Sequence, residues 1–236
     1  MTVSQLSNLL SVEEWNALRL SFRVATCAAL LGLPFAVAIG YGLARNLVRG
    51  KWLVEVLVNL PLVLPPVVVG YLLLVIFSPR GLVGATLLNW FGVKIVFNWW
   101  GAVLASVVVS FPLMVRAIHL TFQGIDPRLE TAARSLGAGP LRSFLTVSLP
   151  LARRGLIAGC VLGFARSLGE FGATIMVAGN IEGQTRTIPL AIYTLANRPD
   201  GMDRSWRLVG LAIVLACGAL AVSEWLERRR PTDAAA

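Results

Sequence analysis

Asp126-Pro-Arg-Leu-Glu-Thr-Ala-Ala-Arg-Ser-Leu-Gly-Ala-Gly-Pro-Leu-Arg-Ser-Phe-Leu-Thr-Val-Ser-Leu-Pro150 is a polar, basic segment held between two long apolar runs, residues 95–115 and 155–179. Asp126 is a helix-capping residue, and Pro127 is tolerated in the first helical position. Leu129, Ala132, Ala133 and Leu136 then recur at i, i+3, i+4 and i+7, which gives one apolar face. Glu130 and Arg134 form an i, i+4 pair on the opposite side. Gly137 and Gly139 end this helix. Pro140 opens a second short one with Leu141, Phe144 and Leu145 as its stripe, and Pro150 marks the next boundary. The segment therefore reads as two short amphipathic helices. Their apolar face needs a partner, either a bilayer surface or the groove of another protein, and periodicity alone favours neither.

The flanking runs fix the solvent. The 236-residue chain is 56% hydrophobic and only 14% charged, where soluble domains carry about 25% charged residues. Its mean hydropathy is +0.74. About 20 consecutive apolar residues cross a bilayer. By that measure residues 24–43, 56–77, 95–115, 155–179 and 207–225 are predicted spans, the last flanked by Trp206 and Trp225. Residues 82–97 are too interrupted by Gly84, Asn89, Gly92 and Lys94 to count as a sixth. The fold class expected is an all-α membrane protein of about five transmembrane helices, with residues 1–236 forming one transmembrane domain. Glu13 and Glu14 precede the first run where a cleavable signal would carry basic residues. The short tail 231–236 is expected to be disordered.

The net charge of +9 does not point to nucleic acid, because the basic residues flank apolar runs instead of forming a patch. Arg45, Arg49 and Lys51, then Arg128, Arg134, Arg142, Arg153 and Arg154, then Arg228, Arg229 and Arg230 lie on one side by parity. The opposite loops carry Arg80 and Lys94, then Arg186, Arg198, Arg204 and Arg207. The richer side is expected to be cytoplasmic, with the N-terminus outside and the C-terminus inside. Cys27, Cys160 and Cys217 sit inside apolar runs with no metal or disulfide spacing, and His119 is the lone histidine. No metal site is expected. Pro61, Pro65, Pro66 and Pro112 fall within spans, which reads either as irregular packing or as pore lining.

Arg166 and Glu170 stand i, i+4 inside the fourth run, among Gly163, Gly169 and Gly172. Ionisable groups there are costly and face a partner or a water-filled path. Two readings stay open: Arg166 attracts an anion in a translocation pathway, or the two form a structural ion pair. The glycines allow close helix contact.

Glu130-x-Ala132-Ala133-x-x-x-Gly137, followed by Leu149-Pro150 before the penultimate span, resembles the EAA loop of bacterial ABC importer permeases. The resemblance implies a type I importer permease fold with short cytoplasmic coupling helices. In that family the loop enters a groove of a separate ATPase and transmits its closure, so Glu130, Ala132, Ala133, Gly137, Leu149 and Pro150 become the candidate coupling residues. This chain has no P-loop of its own. Its two lysines, Lys51 and Lys94, are followed by Trp52 and Ile95, where a P-loop needs Ser or Thr. No cofactor is expected in the chain, and ATP with Mg²⁺ is expected on the ATPase.

The stretch Gly163-Phe-Ala-Arg-Ser-Leu-Gly-Glu-Phe-Gly-Ala-Thr174, with Gln184-Thr-Arg-Thr-Ile-Pro189, is similar to the molybdate permease subunits of ABC importers. That similarity runs from about Arg19 to Leu226. It implies a homodimer with one pore, two ATPase subunits below and a periplasmic or extracellular molybdate-binding protein above, in the bacterial cytoplasmic membrane. Arg166, Glu170, Gly169 and Gly172 are then pathway candidates, and Arg186, Thr187 and Pro189 candidates for meeting the binding protein. Tungstate is a second cargo to weigh. A sulfate/thiosulfate permease is the related alternative, and a passive anion channel or secondary carrier is the alternative from another class.

Overall fold

Ser11 opens the first helix with a reciprocal cap. Its Oγ accepts the Glu14 N–H at 3.3 Å, and its own N–H donates to Glu14 Oε2 at 2.6 Å. In this computed structural model, residues 11–199 and 201–228 are described, and among them there is no strand. The first helix, α1 (Val12–Ala44), has 33 residues. At ~1.5 Å per residue it is about 50 Å long, more than a bilayer core needs. The predicted span began only at residue 24. Arg19 and Arg23 end the apolar run without ending the helix, and the Arg23 guanidinium sits 4.1 Å over the Trp99 ring.

The predicted second span, 56–77, is two helices. α2 (Lys51–Val63) and α3 (Pro66–Phe77) meet at a 112° bend. Leu64 and Pro65 are extended between them. Pro65 pushes Leu64 out of the helical region, and Pro66 then starts the new helix where its missing N–H costs nothing. Residues 82–91, set aside from the sequence, form the short helix α4 (Leu82–Phe91), closed by Gly92 at φ +65°. α5 (Trp99–Gln123) begins later and ends later than the predicted 95–115. Asn98 explains its start, because its side chain accepts the N–H groups of Trp100 and Gly101 at 2.8 and 3.3 Å.

α6 (Pro127–Ser135) follows the expected cap, with Asp126 accepting the Arg128 N–H at 2.9 Å. α7 (Pro140–Leu168) corrects the expectation of a boundary at Pro150, because it runs through that residue. Residues Phe144–Ser148 are wound as a π-helix, with the Leu149 N–H bonded to the Phe144 carbonyl five residues back. This wider turn precedes a proline that has no N–H to give the ladder, so the helix continues. The predicted span 155–179 is also divided. α7 stops at Leu168, and a separate α8 (Gly172–Ala178) follows. α9 (Ile188–Ala196) and α10 (Met202–Arg228) complete the described chain. Arg229, Arg230 and the tail 231–236 lie outside the described residues.

Among the described residues α1, α5, α7 and α10 are long and apolar enough to cross a membrane, and the bent α2–α3 pair brings the count to as many as five. α1, α5 and α7 pack on one another, α10 packs on α7, and α8 lies between α3 and α5. Small residues make this possible. Ala17, Ser21, Ala25, Ala29, Ala36 and Gly40 line the buried side of α1. A Cβ at Gly40 would meet Ile118 at 2.9 Å, one at Gly155 would meet Thr121 Oγ1 at 2.0 Å, and one at Gly163 would meet Met114 Sδ at 2.5 Å. With no hydrophobic drive between helices in lipid, such close approach supplies the packing energy. α3 and α8 touch through backbone: a Cβ at Gly70 would lie 2.7 Å from Ala173 Cα and 2.8 Å from its carbonyl oxygen. The outer faces of α2 and α3 expose Leu53, Val56, Leu57, Leu60, Val63 and Val67.

Candidate coupling and translocation sites

α6 leaves its apolar side open. Leu136 is 89% exposed, Leu129, Ala132 and Leu141 are exposed, and Ala133 is half-buried. Gly137 takes φ +90°, a left-handed turn that glycine adopts without strain, and α6 ends just before it. Leu149 is half-buried, and the exposed Pro150 lies beside Thr121, Ile125 and Arg153, after the π-helical segment of α7.

Glu130 is the departure. The sequence places it with Arg134 on the outer side, yet its residue is only 5% exposed. Its carboxylate accepts Tyr41 Oη–H at 2.8 Å, Arg45 Nε–H at 2.8 Å and Ser148 Oγ–H at 2.6 Å. Arg45 also pairs with it through a second nitrogen at 2.8 Å, while the expected partner Arg134 stands 3.9 Å away. Ser143 Oγ–H donates to the Glu130 backbone carbonyl at 3.3 Å, and Arg45 donates to the Ile125 carbonyl at 3.1 Å. Burial pushes the Glu130 carboxyl up, but the hydrogen bonds from Ser148, Tyr41 and Arg45 and the Arg45 charge outweigh it. The carboxyl is held below its ordinary value of 4.5. From the sequence, Arg45 reads only as a topological charge, and Tyr41 and Ser148 carry no signal of their own. Tyr41 and Arg45 stand i, i+4 at the end of α1, and that spacing was the available signal.

Within the membrane, Arg166 and Glu170 meet at 2.9 Å, as their spacing suggests, although α7 has already ended at Leu168. Glu170 is 2% exposed, and its Oε1 accepts the Ala173 N–H at 2.8 Å, so it also caps α8. The Arg166 side chain remains 30% exposed. Gly172 is a close-contact glycine against Pro66 and Val67, whereas a Cβ at Gly169 would meet nothing within 4 Å. Gly169 is therefore no helix-packing contact.

At the opposite end from α6, the loop before α9 is tied down. Arg186 donates to Asn180 Oδ1 at 3.0 Å and to Glu182 Oε2 at 3.1 Å. The Ile188 N–H donates to Ser21 Oγ of α1 at 2.7 Å. Thr187, a candidate for docking, is buried at the start of α9, while Pro189 is half-buried and Glu182 and Gln184 are exposed. Asp200 lies outside the described residues.

The described architecture is thus a set of long apolar helices, an internal break at residues 169–171, and the short amphipathic helix α6 leading into α7 at one end. The family model "Binding-protein-dependent transport system inner membrane component" matches residues 32–229. The chain belongs to this family. The permease is 53% identical over 220 residues to the molybdenum transport system permease protein ModB of Escherichia coli K12, covering 93% of this chain and 96% of that one. It is 50% identical over 216 residues to ModB of Haemophilus influenzae, covering 92% and 94%. A bacterial alginate ABC transporter, solved in complex with its alginate-bound periplasmic protein, has a chain that matches the permease with a TM-score of 0.70 at 18% identity. The match covers 99% of this chain and 84% of that one. The permease therefore has the ABC importer permease fold and is a multi-pass inner membrane protein, a transport component and not an enzyme. An ATPase and a substrate-binding protein are the partner classes this membership implies.

Proposed function

We propose that the permease forms the pore of an ATP-driven importer for molybdate. The observation that carries this is the 53% identity to E. coli ModB along nearly the whole of both chains. Two copies form one pore at their shared interface, two ATPase subunits sit beneath them, and a periplasmic or extracellular molybdate-binding protein delivers the anion. ATP with Mg²⁺ belongs to the ATPase. The end bearing α6 lies in the cytoplasm and the loop before α9 lies outside, so the N-terminus is outside and the C-terminus inside. The charge bias supports this orientation: Arg45, Arg49, Lys51, Arg128, Arg134, Arg142, Arg153 and Arg154 gather at the α6 end.

The mechanism is alternating access. The open apolar side of α6, with Leu129, Ala132, Ala133 and Leu136, docks in a groove of the ATPase, and closure of the ATPase dimer displaces it. The displacement opens the pore outward to receive the anion, and hydrolysis resets it. Arg166 lies where the helices break, half-open to its surroundings with its charge shared with Glu170. An anion passing there meets a guanidinium already partnered, which favours brief contact over trapping. Arg186, held by Asn180 and Glu182, stands in the outer loop beside the exposed Gln184 and contributes to docking the binding protein.

The test is uptake of molybdate, tungstate and sulfate, side by side, in cells with and without this gene. Selective loss of molybdate uptake supports the reading, with tungstate loss marking a shared route. Loss of sulfate uptake alone would move the substrate to sulfate or thiosulfate. Anion flux that persists without ATP hydrolysis would favour a passive channel or carrier.

A further inference from the structure

The amphipathic helix α6 is joined to the membrane helices at one buried point. Its open face carries Leu129, Ala132 and Leu136, and Glu130 points the other way, into the protein. There the carboxylate receives Tyr41 from the last turn of α1, Arg45 from the position that caps that helix, and Ser148 from the π-helical segment of α7. A buried carboxylate with three side-chain hydrogen bonds from two other helices, and an ion pair to Arg45 besides, resists being pulled free, because each released group loses its partner away from water. Arg45 adds direction, since its Nε–H donates to Glu130, a second nitrogen stands in charge contact with the same oxygen, and a third donates to the Ile125 carbonyl. Ser143 secures the Glu130 backbone as well. Tyr41 rests edge-on against Phe122 of α5 and Phe144 of α7, so the aromatic floor of the site joins three helices.

We propose that Glu130 is a positioning residue: it locks α6 to α1 and α7 so that the three move as one body, and it does not itself touch the ATPase. The proposal rests on the importer reading for the direction of the motion, and on geometry alone for the lock. It assigns distinct tasks to neighbouring residues of one short helix. Leu129, Ala132 and Leu136 receive the push, and Glu130 passes it to the ends of α1 and α7.

The experiment uses the complete complex, the permease co-expressed with the ATPase of its importer, in the forms wild type, Glu130→Gln, Arg45→Met and the double variant. Four quantities are read: co-purification with the ATPase, thermal midpoint, ATP hydrolysis, and molybdate uptake into proteoliposomes. The expected result for each single variant is ATPase yield and hydrolysis within twofold of wild type, with uptake down at least tenfold. The double variant removes both charges together, so its thermal midpoint recovers relative to the singles while uptake stays low. Recovery of uptake along with the midpoint would reduce Glu130 to a folding role and overturn the proposal. Loss of ATPase co-purification in Glu130→Gln alone would make it a contact and overturn it as well.

A substrate-independent readout separates this from the molybdate reading. Spin labels at Arg49 and Ser135, both exposed, report the distance between the end of α1 and α6. That distance is expected to stay fixed between nucleotide-free and ATP-bound wild-type complex, and to spread in Glu130→Gln. A wild-type complex that hydrolyses ATP but takes up no molybdate would sink only the substrate assignment. A wild-type distance that changes with nucleotide would sink the lock.

Discussion

Glu130 exchanges water for Ser148, Tyr41 and Arg45, and this gives it a pH signature. Its carboxyl is held below its ordinary value of 4.5. A group with a depressed folded value stabilises fully above the unfolded value and loses that contribution as pH falls through the folded one. The thermal midpoint of the detergent-solubilised permease should therefore drop on acidification from about pH 5 to about pH 3. The drop should be shallower in Glu130→Gln, as read by intrinsic tryptophan fluorescence. An equal slope in the two forms would remove Glu130 from the account. Gly155 supplies a second test at this scale. A Cβ there would meet Thr121 Oγ1 at 2.0 Å, so Gly155→Val should cost about 1–3 kcal/mol by overpacking, measured as a lowered midpoint. The sequence made the motif around Glu130 legible but not the direction in which Glu130 faces. On a helix as short as Pro127–Ser135, a carboxylate four residues from an arginine looks like a surface pair. Its true partners are 18, 85 and 89 residues away in the chain, and periodicity carries no information about them.

At the scale of elements, the breaks matter more than the helices. Hydropathy marks the long apolar runs, because lipid exposure is a property of composition, and it leaves out the short apolar helices α4 and α9. It could not find the turn of 112° between α2 and α3, or the end of α7 at Leu168, because a run of apolar residues has no direction. Pro65 and Pro66 mark the place of the first break without giving its angle. Pro150 marks no break at all, because the π-helical segment Phe144–Ser148 lets α7 continue through it. That segment is testable. Deleting Thr146, an exposed residue within it, removes one residue from the wide turn. Residues before and after the deletion then rotate relative to each other by about 100°, which turns Ser148 away from Glu130. The expected outcome is a folded permease that binds its ATPase, hydrolyses ATP and transports poorly. Wild-type uptake by the deletion variant would mean that the wide turn has no part in coupling.

At the scale of the whole molecule, two ends are distinguishable by their bonding. Arg45 and Glu130 close one, and Ser21 with the Ile188 N–H closes the other. Orientation follows from single cysteines placed in a permease freed of Cys27, Cys160 and Cys217. Gln184→Cys should react with a membrane-impermeant maleimide in intact cells, and Arg142→Cys only after permeabilisation. The reverse pattern would invert the topology. The contact between α3 and α8 carries a consequence for heredity. What a side chain at Gly70 would strike is mainly the main chain of Ala173, at 2.7 and 2.8 Å, and no exchange of side chain at 173 clears a main chain. A strain crippled by Gly70→Ala should then yield revertants at codon 70 itself and none at codon 173. A screen for second-site suppressors would read that directly, and the two positions would drift through descent without compensating one another.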